Sequence, residues 1–294
     1  MQIRTTKNST HIFSILLPVL FVTLLFTGCS TIEGVLNLTR PNASIERVEL
    51  SGLSFDRVDL VFYVEVHNPN SIGLKLAGLE YNLAMEKNSV VRGNVEKGIE
   101  LPARGSSLLE VPVSVGYSNI FNTVQSAREK DNLDYQIDLG LSFTVPGYSS
   151  LKVPLTYAGT IPVPKLPSLS MASLQVRNIS LTRIDVELRL EVNNPNSFKI
   201  DMNEFNYDLT IAGHSWVRGN TVRPLSFREK SRSVVTIPLS LNIVEVGRSV
   251  IDLLSGNRTL DYQFSGDTVM DTELPLLQDY LFSFSSEGET EIFR

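Results

Sequence analysis

A chain of 294 residues with 42% hydrophobic and 20% charged content holds enough apolar material for two ordinary domains. Its formal charge is −6, with no basic run and no arginine stripe, which excludes nucleic acid as a partner. The single cysteine, Cys29, excludes an intrachain disulfide and any thiol-rich metal site.

Arg4 and Lys7 precede Ile12–Phe26, which is apolar except for Ser14 and Thr23. A basic start, a short apolar run and small residues at its end predict a secretory signal over residues 1–28. The run is short for a membrane-spanning helix, and Pro18 interrupts it. It ends in Leu25-Phe26-Thr27-Gly28-Cys29, which resembles the lipobox of bacterial lipoproteins, with Phe26 where that family prefers leucine. The resemblance implies cleavage before Cys29, a diacylglycerol on its thiol and an acyl chain on its new amino group. The competing reading is a chance thiol at the end of an uncleaved anchor. Ser30 follows the cysteine where an aspartate would be expected for inner-membrane retention. By analogy with enteric bacterial sorting, this implies the outer membrane, facing the periplasm. Residues 29–43 then read as a short polar tether.

The first domain is expected over 44–160. Val48, Leu50, Leu53 and Phe55 predict a strand made irregular at Gly52. Val58, Leu60, Phe62, Val64 and Val66 alternate with more polar positions, the period of a half-buried strand. Asn68-Pro69-Asn70-Ser71 predicts a turn that sets the register of a hairpin, since proline presets φ and asparagine bonds its own backbone. Leu74 to Met85 continues as a strand with a bulge near Ala77-Gly78, and Lys87–Gly98 reads as a polar loop. In the strand through Leu109, Val111, Val113 and Val115, Pro112 points to an edge. Ile120, Phe121, Val124 and Ala127 recur at helical spacing, and Tyr135 to Phe143 and Leu151 to Leu155 alternate again.

The second domain, over 168–294, repeats the first. Glu65–Asn94 and Glu191–Asn220 match at an offset of 126, with 13 of 30 positions identical. The copies share Asn-Pro-Asn-Ser, at 68–71 and at Asn194, Pro195, Asn196 and Ser197, and Val-Arg-Gly-Asn, containing Arg92 and Arg218. The helix recurs as Val246, Val250, Ile251 and Leu254. Residues 161–167 place three prolines between the copies, a stiff connection that holds them apart or at a fixed angle. The fold class is mainly β: two tandem antiparallel β-sandwiches of immunoglobulin or fibronectin size, each with one short helix.

A strand, then Asn-Pro-Asn-Ser, an alternating strand, a Gly-Asn loop and Val111-Pro112-Val113 or Ile237-Pro238-Leu239 resemble the water-stress and hypersensitive-response (WHy) domain of the type 2 late embryogenesis abundant proteins. The likeness covers nearly all of 44–294. It implies a folded sandwich, a link to desiccation or osmotic stress, and no catalysis or cofactor.

The residues offer little chemistry of their own. His67 and His214 are not equivalent in the repeat, and His214-Ser215 lacks a nucleophile elbow. There is no phosphate-binding glycine loop and no zinc spacing. Asp201, Glu204 and Asp208 lack calcium-loop spacing and read as a solvated strand face. Arg92 and Arg218, with Trp216, are candidate surface contacts. The expected function is non-enzymatic. The chain would be anchored to the membrane through acylated Cys29 and would contact envelope proteins or stress-labile clients. The alternative is a structural module bridging the membrane to an envelope complex.

Overall fold

The computed structural model describes residues 38–95, 98–144, 150–221, 223–243 and 259–293. Two sandwiches follow one another along the chain. The first contains β1 (Asn42–Leu53), β2 (Arg57–His67), β3 (Leu74–Met85), β4 (Asn88–Val95), β5 (Ile99–Leu101), β6 (Ser106–Gly116), β7 (Asn132–Thr144) and β8 (Leu151–Pro162). The second contains β9 (Ser168–Ile179), β10 (Arg183–Asn194), β11 (Ile200–Ile211), β12 (His214–Thr221), β13 (Leu225–Phe227), β14 (Ser231–Asn242), β15 (Thr259–Thr272) and β16 (Tyr280–Phe293).

In the first unit a sheet ordered β1-β2-β6 faces one ordered β4-β3-β7-β8, with β5 also on β3. The alternation read from the sequence places Val58, Leu60, Phe62, Val64 and Val66 inward from one sheet and Tyr135, Ile137, Leu139, Leu141 and Phe143 from the other. Phe62 meets Tyr135 edge-on with ring centroids 6.0 Å apart, so the layers interdigitate. The second unit repeats this as β9-β10-β14 against β12-β11-β15-β16, and a parallel pairing of Ile292 and Phe293 with Leu174 and Gln175 joins its two sheets.

Several expectations take sharper form. β1 bulges at Leu50/Gly52 and β3 at Leu76/Gly78. Pro112 and Pro238 lie on β6 and β14, each at a sheet edge, where a missing N–H costs no ladder bond. A helix α1 (Tyr117–Thr123) gives way after Val124 to a 3-10 turn over Gln125–Glu129, burying Tyr117, Ile120 and Ala127. The matching helix of the second copy lies outside the described residues.

Two expectations are overturned. Lys87–Gly98 is not a loop through most of its length: β4 occupies Asn88–Val95 and pairs with Leu79–Met85 of β3. It is an edge strand with little burial on either face, so its sequence lacks a clear apolar period. Asn68–Ser71 does not close a hairpin either, because β2 and β3 belong to opposite sheets and the turn crosses between them.

The glycine of Val-Arg-Gly-Asn has a packing role in β4 and β12. Gly93 and Gly219 stand opposite Tyr81 and Tyr207, whose rings lie across them in the space a Cβ would need. Tyr135 covers Gly159 in the same way. This is cross-strand aromatic cover of a bare backbone. At Gly266 a Cβ would collide with the Asn206 carbonyl oxygen, a rigid neighbour, as well as with the Phe284 ring. Gly266→Ala should therefore cost about 2–3 kcal/mol and Gly93→Ala about 1 kcal/mol, since a ring can swing and a backbone cannot. Urea midpoints of the two variants test that ranking.

Candidate functional site

The repeated Asn-Pro-Asn-Ser turns are buried polar knots. Asn68 and Asn194 are fully buried, and Asn70 and Asn196 nearly so, while Ser71 and Ser197 are exposed. Asn68 Oδ1 accepts the Asn70 N–H at 3.0 Å, and Asn194 does the same for Asn196, an Asx turn with proline at its corner. The Asn68 amide nitrogen donates to the Ile72 and Pro102 carbonyls at 2.8 and 3.0 Å. Asn194 donates to Phe198 at 2.9 Å and Arg228 at 3.0 Å.

The second asparagine of each motif clamps a more distant strand of chain. The Thr39 N–H donates to Asn70 Oδ1 and Asn70 Nδ2 donates back to the Thr39 carbonyl, both at 2.8 Å. In the second copy the Lys165 N–H and carbonyl engage Asn196 at 2.7 Å each. A planar amide presents a donor and an acceptor side by side, so it can pair with one peptide as a neighbouring strand would. Thr39 and Lys165 also differ by 126, so extending the repeat backwards would have shown them to be equivalent; nothing in their side chains marks the role.

Because Lys165 lies in the linker, the clamp helps hold the two domains. Val163 and Pro164 are buried. Asp131, after the 3-10 turn of the first domain, accepts Lys165 Nζ at 3.2 Å and Lys230 Nζ at 2.5 Å. Lys230 also donates to the Pro195 carbonyl at 2.7 Å, next to the knot. Phe55 of the first domain meets Tyr280 of the second edge-on at 4.8 Å. The linker is thus packed and bonded on both sides, at a fixed angle.

The arginines of Val-Arg-Gly-Asn are cross-strand partners of residues 82 and 208. Arg92 Nε donates to Asn82 Oδ1 and Ser89 Oγ, both at 3.1 Å. Arg218 instead holds Asp208 through Nε at 2.8 Å and Nη2 at 2.6 Å, while most of its side chain remains in water. Each arginine rims a shallow groove floored by the Tyr–Gly pair, of about 530 Å³ in the first domain and about 440 Å³ in the second.

Trp216 is not a surface contact: it is 4% exposed and belongs to the core, with no partner for its indole N–H among the described residues. An isolated tryptophan in a polar stretch gave no period from which its facing could be read. His214 is exposed at the start of β12, and His67 is exposed with Nδ1 3.2 Å from Ser106 Oγ. Asp201 pairs with Lys199 at 2.8 Å and Asp208 with Arg218, leaving Glu204 at a left-handed backbone position in the β11 bulge. Among the described residues no three His, Cys, Asp or Glu side chains are placed to hold a metal ion. Cys29 lies outside the described residues.

Comparison with known proteins bears on this duplicated arrangement. The family model described as "Late embryogenesis abundant protein" (LEA_2) matches residues 63–159 and 189–275. The chain belongs to this family. Each match contains one strand–turn–strand repeat, so the LEA_2 unit occurs here twice. The chain is 31% identical over 137 residues to a desiccation-related protein of Arabidopsis thaliana, covering 47% of this chain and 81% of that one. It is 31% identical over 138 residues to the desiccation protectant protein Lea14 homolog of Glycine max, covering 47% and 89%. A solution structure of an Arabidopsis thaliana protein aligns with 46% of this chain and 91% of its own, at 23% identity and a TM-score of 0.39.

In this LEA_2 chain the clamps and the joint make separable predictions. Asn194→Ala strands several buried carbonyls and should cost about 2–4 kcal/mol. Asn196→Ala should cost less but speed amide exchange at Lys165, because it releases the linker; unchanged exchange there would contradict the clamp. Asp131 is held below the usual aspartate range, first by its hydrogen bond from Lys230 and then by that from Lys165, against the opposing effect of burial. Its folded value lies below its unfolded one, so its contribution is full above the unfolded value near 4 and lost as pH falls through the folded one. Asp131→Asn should therefore cost about 1 kcal/mol at neutral pH, the scale of a partly exposed pair, and nothing once acid has protonated the native carboxyl. Urea titrations at the two pH values would show the difference converge.

Proposed function

We propose that the protein is a non-enzymatic desiccation- and osmotic-stress protein with tandem WHy-type domains, anchored by an acylated Cys29 to a bacterial envelope membrane and acting through surface contacts with stress-labile proteins. The observation that carries this reading is the alignment of the repeat with relatives named for desiccation. The structure is compatible with a binding role, since the residues that distinguish the repeat are engaged in internal bonds or cross-strand pairs. What is left to act is exposed surface, and an acidic, folded, disulfide-free sandwich offers solvated charge to neighbours as water is withdrawn.

The lipobox-like end of the amino-terminal run supports the anchor. Several acyl chains, at about 0.8 kcal/mol for each buried methylene, would hold the chain stably to a bilayer. The outer membrane, with the domains in the periplasm, is the location proposed from Ser30.

A deletion strain dried and rewetted should lose viability at least tenfold relative to its parent, and the intact gene should restore it. Cys29→Ser should leave an unprocessed precursor and restore survival poorly. Unchanged survival of the deletion strain, with one envelope complex recovered by crosslinking, would replace stress protection with the bridging alternative.

A further inference from the structure

We propose that the end of the first domain carrying Asn68–Ser71 rests on an anionic bilayer, with Arg40 and Arg104 as its contacts; this deepens, and rests on, the lipid-anchor reading above.

The argument begins from what the equivalent end of the second domain does. There Lys165 and Lys230 flank the Asn194–Ser197 turn and reach Asp131 of the first domain. Lys230 has a left-handed backbone, φ 46°, and its N–H donates to the Asn196 carbonyl at 2.9 Å. Arg104 reproduces this, with φ 53° and its N–H 2.8 Å from the Asn70 carbonyl. The scaffold that aims Lys230 at a carboxylate therefore aims Arg104 outward from the first domain. Arg104 and Arg40 are exposed, and neither has an acidic partner among the described residues.

Strand order brings further charge to the same end. Lys75 and Lys152 stand at the second positions of β3 and β8, and Glu100 lies opposite Lys75 on β5. Among the described residues this end thus gathers four cations, with Glu100 beside Lys75, in a chain of net charge −6. His67 and Glu65, with Glu46 across the ladder, lie at or just inside the rim.

The clamp on Thr39 fixes where the chain leaves this end. Cys29 precedes Thr39 by ten residues, which span at most about 35 Å extended and about 18 Å when relaxed. Acyl chains on Cys29 would keep this end near the headgroups, where cations gain most. A second copy fits less well. Leu133-Asp134-Tyr135-Gln136 recurs at 260–263, so by sequence the counterpart of Asp131, the carboxylate that receives the joint, is Arg258.

Ala103 is exposed beside Arg104, and Leu181, 98% exposed, lies at the β9–β10 turn at the far end of the second domain. Ala103→Cys and Leu181→Cys each offer one thiol for a fluorophore in the full-length acylated chain, because the Cys29 sulfur is then a thioether. One dye per chain verifies the anchor and two refute it, independently of where the end of the domain lies. In phosphatidylcholine vesicles bearing a nitroxide headgroup quencher, adding phosphatidylglycerol should quench the dye at 103 and not at 181. Quenching should fall with salt, and Arg40→Glu with Arg104→Asn, the latter tolerating the left-handed backbone, should weaken the headgroup contact by about fivefold per cation lost. Equal quenching without phosphatidylglycerol, or quenching that survives in the double variant, would overturn the proposal. So would concentration-dependent quenching without vesicles, which would point to a second copy.

Discussion

The structure depends on a side-chain amide doing the work of a backbone. Where the chain passes from one sheet to the other, its peptide groups leave a ladder and would be buried without partners. Asn68 and Asn194 supply those partners from within the turn, and Asn70 and Asn196 extend the supply to a segment 31 residues away. Aspartate has the shape but offers no donor to a carbonyl, and serine has a single proton and cannot donate to two carbonyls at once. The motif is therefore a solution to satisfying buried polar atoms at a sheet-to-sheet crossing. The burial of its two asparagines commits their amides to the chain itself.

From that constraint the organisation of the whole molecule follows. The amide that closes the second sandwich also grips the linker at Lys165, so the crossing that completes one domain helps orient it on the other. Duplication kept the backbone scaffold and changed the charges set upon it. The cross-strand partner of the repeated arginine is neutral Asn82 in one copy and Asp208 in the other. The left-handed residue after the motif is Lys230 where a carboxylate faces it and Arg104 where the chain leads away to its amino-terminal segment. The fold is thus common to both copies, while what each end can touch is specific to one.

This division explains what was legible in the sequence. The inward faces of β2, β6 and β7 could be read because burial on one face imposes a period of two over five or more residues. β4 and β12 could not, because an edge strand with thin cover on both faces imposes no period, and their glycines suggested a loop when they were making room for tyrosine rings. The turn residues were identified by type but not by topology: Asn-Pro-Asn-Ser specifies a reversal, and whether the chain returns to the same sheet or crosses to the other is decided by long-range pairing. Trp216 was misplaced for a similar reason, since a single large residue among polar neighbours carries no phase.

The stress role proposed above would ask for bonds that do not rely on water. A hydrogen bond between protein groups is worth only about 1 kcal/mol net because water competes for both partners. As water is withdrawn the competitor goes, and a fully paired amide network loses nothing, whereas a polar group that had been solvated is left bare. The knots at Asn68–Asn70 and Asn194–Asn196 pair their amides with the chain itself, and the joint at Asp131 pairs its carboxylate with two lysines. Such internal pairs have no solvent partner to lose, whereas exposed charges without an acidic partner among the described residues, Arg40 and Arg104 among them, lose their hydration and gain most from a charged neighbour.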